Sequence, residues 1–294
     1  MDVIELLKAL VIGIVQGITE WLPISSTGHM ILVDEFMTLN VSPEFWKLFL
    51  VVIQFGSILA VIILYFHKLN PFSRKKTRDQ RRSTLRLWAK VIVGCIPAAI
   101  IGGLFDDWFE EHFFNAVTVA TALVIYGVAF IVIERIKKPS LEGAHARKTA
   151  LHTDRITDVD ELGFGRALGV GLFQCLAIVP GTSRSGSTIL GGRILGISRE
   201  AAAEFSFFLA IPVLFGWSLL RAVKAFVLDS IVLTTTEWGV FAVGILVAFL
   251  VSIAAIKFLM GFIKNHSFEV FGWYRIVLGI VVLAFFLITG QLIA

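Results

Sequence analysis

Two short polar stretches hold most of the side chains in this chain of 294 residues that could act together in chemistry. The first, QGITEWLPISSTGHM, runs from Gln16 to Met30. Gln16 and Glu20 are four apart, so a helix sets the amide and the carboxylate on one face. Pro23 then ends or kinks that helix. Ser25, Ser26 and Thr27 can cap a second short helix, whose opening turns carry Gly28 and His29; Ser26 and His29 share a face of it. The second stretch, PGTSRSGST, runs from Pro180 to Thr188. Behind Gly181, the residues Thr182, Ser183 and Ser185 present hydroxyls and backbone N–H groups at a helix N-terminus, a ready anion site. Arg184 adds a planar fork suited to bidentate contact with phosphate. The G-x-x-x-x-G-K-[ST] spacing of a nucleotide P-loop is absent.

Pooled, these groups suit a phosphate ester or anhydride. Glu20, with Gln16 beside it, could hold a hard cation, Mg2+ or Ca2+, against phosphate oxygens. Arg184, the Ser183 and Thr188 hydroxyls and the backbone N–H groups would stabilise charge on a transferring phosphoryl group. Ser26 is a candidate nucleophile with His29 as its base or acid; alternatively a water attacks and Ser26 only binds. The blander readings are a Glu20–Arg184 salt bridge, a satisfied core histidine, and serines that do no more than cap.

The surroundings are oily. The chain is 57% hydrophobic and 16% charged, with mean hydropathy +0.85, against about 25% charge in a soluble domain. A helix needs roughly 20 apolar residues to cross the hydrocarbon. Six segments supply them, at about 45–66, 88–104, 116–134, 202–220, 239–260 and 275–293. Two more, 3–37 and 165–196, are long enough but split by the polar motifs, which predicts re-entrant helix–loop–helix hairpins. Non-helical backbone at membrane depth is tolerated only where it is buried in protein or lines a cavity. The opening MDVIELLKALVIG lacks the basic region and cleavage site of a signal peptide and reads as part of the mature fold. Cys95 and Cys175, far apart in apolar segments, read as core residues rather than a disulfide.

Loop charges set the orientation. Segment 67–90 has nine Lys/Arg and one Asp, which places it in the cytoplasm. Segment 105–115 has four acids and no Lys or Arg and fits outside, whereas 135–166 and 264–275 fit inside. With both hairpins re-entering rather than crossing, every loop agrees and both termini lie outside. The net charge of +4 follows from these loops and is not a nucleic-acid signature.

A repeat lies underneath. LNVSPE (39–44) and LGISRE (195–200) match at an offset of 156, with Ser42 and Ser198 as N-caps. GIVQ (13–16) matches GLFQ (171–174) at 158, and Pro23 with Pro180 and Ser26 with Ser183 align at 157. Each half is one broken hairpin plus three spans, and an odd number of spans inverts the second copy. Such repeats bring discontinuous helices together near the midplane, so the two polar motifs are predicted to meet. The expected architecture is a single polytopic all-α membrane domain over 1–294: a first repeat at 1–134, a cytoplasmic polar loop at 135–164, and an inverted second repeat at 165–294. Other polar residues read more plainly: Arg193 and Arg199 as positive-inside anchors, Glu204, Ser206 and Lys47 as near-interface or interhelical contacts, and Gln54 as a bond across helices. Trp46, Trp88, Trp108 and Trp238 read as interfacial anchors. His145 and His152 are too scattered for a metal site.

On these two motifs the chain resembles the bacterial undecaprenyl-diphosphate phosphatase family, also called the bacitracin-resistance family. The family's [E/Q]-x-x-x-E is met by Gln16 and Glu20, its P-x-S-S-T-G-H by Pro23 to His29, and its P-G-x-S-R-S-x-x-T by Pro180 to Thr188 with Ser183, Arg184, Ser185 and Thr188 in place. The resemblance implies hydrolysis of undecaprenyl diphosphate to the monophosphate and phosphate, recycling the lipid carrier for peptidoglycan. Bacitracin sequesters that diphosphate, so high activity confers resistance. It also implies a divalent cation, six spans plus two re-entrant hairpins, and residence in the bacterial plasma (inner) membrane with the cleft facing outward. Gln16 takes the amide alternative at the first position, so a site of two carboxylates is not available and Glu20 must carry most of the cation or proton chemistry. The implied partners are a polyprenyl diphosphate and the bilayer, with no nucleic acid; a homodimer is left open. The rival reading is an inverted-repeat transporter or flippase of a polyprenyl phosphate lipid, because architecture does not settle function.

Overall fold

The computed structural model describes residues 2–137 and 154–289, so most of the polar loop, with His145 and His152, lies outside the described residues. The described chain is helical. In order come α1 (Val3–Thr19), α2 (Ser26–Phe36), α3 (Pro43–Val52), α4 (Gln54–Leu64), α5 (Phe66–Leu69), α6 (Arg78–Phe113), α7 (Ala116–Ile136), α8 (Phe164–Cys175), α9 (Arg184–Ile194), α10 (Arg199–Val223), α11 (Thr235–Asn265) and α12 (Glu269–Thr289). An isolated bridge between Ile156 and Ile197 is the only β pairing among the described residues. Local chemistry starts the helices where the sequence implied. Ser42 caps α3 by accepting from Phe45 N, and Pro43 stands at the first helical position. The Ser198 hydroxyl accepts from Ala201 N at 3.2 Å at the start of α10, and Asn115 caps α7.

Six stretches are long and apolar enough to cross a membrane: Pro43–Leu64, Arg78–Phe105, Ala116–Ile136, Arg199–Leu228, Thr235–Asn265 and Glu269–Thr289. This is a multi-pass membrane protein. Three details depart from the sequence reading. The acidic stretch expected as a loop at 105–115 continues α6 as helix to Phe113; four carboxylates do not stop a helix that no Pro or Gly interrupts there. The first span is two helices meeting at Ile53, so Gln54 opens α4, and its amide donates to Leu50 O within its own span at 3.5 Å rather than across helices. The last span begins at Glu269, so Arg275, counted as a cytoplasmic loop charge, lies inside α12 with no exposed surface.

The chain packs as two compact units, neither of them a half of the sequence. The first comprises Met1–Leu22, His29–Leu85 and Phe207–Leu259. Its core gathers Ala9, Ile12, Phe45, Phe49, Val240 and Phe241, with Phe45 and Phe241 rings 4.8 Å apart. Gly13 and Gly17 let α1 lie directly on α11: a Cβ at Gly17 would come within 2.8 Å of Val251 Cβ. Small residues at such spacing allow close helix approach where lipid supplies no hydrophobic drive.

The second unit comprises Pro23–Gly28, Arg86–Ser206 and Met260–Ala294. Here α7 and α12 pack through Gly127 and Gly272, where a Cβ on either would stand 2.7 Å from the other's carbonyl oxygen. Gly171 of α8 seats against Gly94 O of α6, and Gly191 of α9 against the Phe173 ring of α8. The far end of α9 is tied by ions: Arg193 Nε meets Glu134 Oε1 at 2.9 Å and its Nη1 meets Asp154 at 2.7 Å, while Arg199 reaches the other Glu134 oxygen at 2.6 Å. Arg193 and Arg199 therefore share a carboxylate inside the protein rather than anchoring at an interface, and Arg193 is 2% exposed. Lys137, beside Asp154 at 3.5 Å, has its ammonium pushed below the usual lysine range, first by burial and next by Arg193.

Candidate active site

Pro23 interrupts the helical run after Thr19, and the chain restarts at Ser26 through Ser25, which holds φ +74°. In the second motif Gly181 has φ +88° and Ser183 φ +73°, and α9 starts at Arg184. Positive φ in a serine is uncommon. Each serine is held there by its own cap: Gly28 N donates to Ser25 Oγ at 3.3 Å, and Gly186 N to Ser183 Oγ at 3.2 Å. The two positive-φ serines, Ser25 and Ser183, are 158 apart, the offset that also joins Gln16 to Gln174, whereas Ser26 and Ser183 match at 157. At the offset of 158, Pro23 stands opposite Gly181, and Ser26 opposite Arg184.

Arg275 brings the two turns together. Its Nη1 donates to Pro23 O at 3.2 Å, and its Nη2 donates to Gly181 O and Thr182 O, both at 2.9 Å. The guanidinium lies 5.5 Å over the Tyr126 ring. Gly181 tucks under α7, where a Cβ would meet Val119 O at 2.5 Å. The predicted meeting of the motifs thus holds for Pro23–Gly28 and the second motif, all within the second unit.

Burial sorts the predicted residues. Ser26, Thr27, His29, Ser183 and Arg184 are half-buried, while Gln16, Glu20, Ser25, Gly181, Thr182, Ser185 and Thr188 are buried. Arg184 Nη1 donates to Ser206 O at 2.8 Å and approaches Ser206 Oγ at 3.3 Å. Thr188 Oγ1 donates to Arg184 O at 2.9 Å and lies 2.7 Å from Ser206 Oγ. The Thr188 hydroxyl is therefore engaged within the protein and holds the Arg184 turn. Ser185 Oγ and Ser183 Oγ are 3.1 Å apart. The first unit holds Gln16 and Glu20 at the end of α1, with Gln16 Nε2 donating to Glu20 Oε2 at 3.1 Å, as the i, i+4 spacing implied. Beside them Trp21 packs edge-on against Phe207, and Ser252 ties Gly17 O to Ser57.

The donor set bears on a cation. No cluster of three or more His, Cys, Asp or Glu suited to a metal occurs among the described residues. Glu20 offers one carboxylate, with the Gln16 Nε2 donor bonded to it, and a single carboxylate suits Mg2+, which is bound through one or two carboxylates with phosphate oxygens and waters completing its shell.

A family model described as "Bacitracin resistance protein BacA" matches residues 9–281. The chain belongs to this family. It is 54% identical over 286 residues to the undecaprenyl-diphosphatase 1 of Clostridioides difficile, covering 97% of each chain. It is 50% identical to the undecaprenyl-diphosphatase of Enterococcus faecalis (96% of this chain, 98% of the relative) and 52% identical to that of Streptococcus thermophilus (96% and 93%).

Two residues of this family member's site escaped the sequence reading. Arg275 was counted as a loop charge because it follows the polar KNHSFE; the signal was its place one turn inside an apolar run. By type and position Ser206 reads as no more than an interhelical contact. It stands in FSFFLAIPV, a lone hydroxyl among Phe and Leu, and in a membrane helix such a group finds a partner.

Proposed function

We propose that this chain is an integral-membrane hydrolase converting undecaprenyl diphosphate to undecaprenyl phosphate and orthophosphate, which returns the lipid carrier to cell-wall synthesis. The observation that carries the reading is the Arg275 clamp, which holds the Ser26-bearing and Arg184-bearing turns in one unit. The relatives named as diphosphatases, half-identical over nearly their whole length, support it.

In this reading the terminal phosphoryl group binds at the N-terminus of α9 and the Arg184 guanidinium, where helix dipole and charge favour an anion. An oxygen forms a bond to the terminal phosphorus as the bond to the bridging oxygen breaks. The electron pair leaves with the lipid phosphate. The attacking oxygen is the Ser26 hydroxyl or a water, and His29, three residues along the same helix, takes its proton. If Ser26 attacks, water then cleaves the phosphoserine. Glu20, steadied by Gln16, would hold the divalent cation, Mg2+ or Ca2+, which neutralises charge on the phosphate oxygens. Thr27, Ser183 and Ser185 line the phosphate, with Ser25, Gly181, Thr182 and Thr188 shaping its walls.

The finer architecture belongs to the same proposal: six spans and two re-entrant hairpins, α1–α2 and α8–α9, in an inverted repeat. The paired Ser25 and Ser183 turns support it, as does the order of one broken hairpin and three spans in each half. Residence in the bacterial plasma membrane with an outward cleft follows from the family resemblance, and the loop charges bear on which loops face the cytoplasm. The test is direct. Purified protein in detergent, given polyprenyl diphosphate and Mg2+ or Ca2+, should release orthophosphate without any gradient. No release with either cation, together with lipid movement in liposomes, would make it a flippase instead. Ser26→Ala separates the nucleophiles: substantial turnover there excludes a phosphoserine. Glu20→Ala should abolish turnover in a protein that still folds, and wild-type turnover would remove Glu20 from the mechanism.

A further inference from the structure

Arg275 does more than its three backbone bonds require. It is a cation with no exposed surface, yet no carboxylate among the described residues forms an ion pair with it. Buried charges are ordinarily paired. A guanidinium carries five N–H donors. Three are spent on Pro23, Gly181 and Thr182 oxygens, and Nε has no hydrogen-bond partner among the described residues. Its position sharpens the imbalance. A Cβ added at Gly186, in the first turn of α9, would stand 3.0 Å from Arg275 Nη1. The cation therefore sits at the N-terminal end of α9, where the helix dipole is itself positive and repels it. Tyr126 supplies only a ring face. Charge of one sign converges on this place, and among the described residues only carbonyl oxygens and a ring face, no carboxylate, meet it.

We propose that Arg275 is a second anion-binding guanidinium of the site, completing with Arg184 a pair of cations for a phosphoryl group. The inference rests on the phosphatase reading for its substrate, and on the buried, unbalanced charge for its existence. The phosphoryl group is either the one released as orthophosphate or the one retained on the lipid.

Arg275→Lys and Arg275→Gln separate charge from clamp, since both side chains donate to carbonyls and only Lys is charged. Inhibition of turnover by orthophosphate and, separately, by polyprenyl monophosphate is the readout. Arg275→Lys should keep both inhibition constants within about threefold, while Arg275→Gln should weaken at least one by roughly tenfold or more, the scale of a charge-assisted bond. Loss confined to orthophosphate assigns Arg275 to the transferred phosphoryl group; loss confined to the lipid monophosphate assigns it to the retained one. Equal effects of Lys and Gln, large or absent, overturn the proposal and leave a clamp. A second measurement covers the case in which Arg275→Gln does not fold. Arg184→Ala protein should still gain thermal stability from orthophosphate, and complete loss of that gain overturns the second site. A wild-type protein that releases no phosphate sinks the phosphatase reading, whereas the orthophosphate melting curves judge Arg275 by themselves.

Discussion

The turns before α2 and α9 share a positive-φ serine and differ on either side of it: two residues earlier one has Pro23 and the other Gly181 at φ +88°, and the side chains that follow are different. Ser25 and Ser183 stand at φ +74° and +73°, each caps the helix that follows, and each turn lends carbonyl oxygen to Arg275. After the matching serine, one helix opens Ser26–Thr27 and the other Arg184–Ser185. One turn thus offers hydroxyls followed by a histidine, and the other a cation at a helix N-terminus. Their supports differ too. α9 lies wholly within the second unit and is pinned at its far end by Arg193, whereas α2 leaves that unit after Gly28. The two turns share a capping serine at positive φ and carry different side chains after it. In the proposed reaction that difference is useful, because the attacking group and the charge-stabilising group act on one phosphorus from different sides.

The comparison can be broken in several places. Arg184→Ala should cost about a thousandfold in kcat/KM, the lower range for removing a charge-stabilising arginine; a tenfold loss measured with polyprenyl diphosphate would put the chemistry elsewhere. Glu134→Gln removes the carboxylate shared by Arg193 and Arg199 and should destabilise the protein by roughly 3–5 kcal/mol, the cost of orphaning a buried charge. Thermal unfolding in detergent checks it, and an unchanged midpoint would show that α9 does not depend on this anchor. Gly181→Ala forces a side chain to φ +88° against Val119 O and should cost about 2 kcal/mol or more. The smallest effects test the likeness itself. Ser25→Gly and Ser183→Gly each relieve a positive φ while losing a cap, and the net change should be within about 0.5 kcal/mol and alike in both. Unlike shifts in melting temperature would mean that the two turns are not equivalent.

Much of this was legible before any coordinates. The spans follow from apolar length, the caps from Ser42 and Ser198, and the Gln16–Glu20 bond from helical spacing, all local rules. The failures are also physical. From sequence Arg275 and Arg193 belong at membrane faces, because a charge in an oily chain is expected at water, and only buried partners make the alternative tolerable. Those partners, the Pro23 and Gly181 carbonyls for one and Glu134 for the other, are remote in sequence.

By itself the sequence determined that this is a helical membrane chain whose two polar motifs interrupt apolar segments, and it named Glu20, Ser26, His29 and Arg184 as candidates, since residue type and spacing act over one or two turns. Tertiary structure decided the rest. It gave Ser25 and Ser183 their positive φ, joined the turns through Arg275, and set Ser206 against Arg184 and Thr188; the last two are contacts between residues 18 to 252 apart, fixed by how helices pack and not by any local preference.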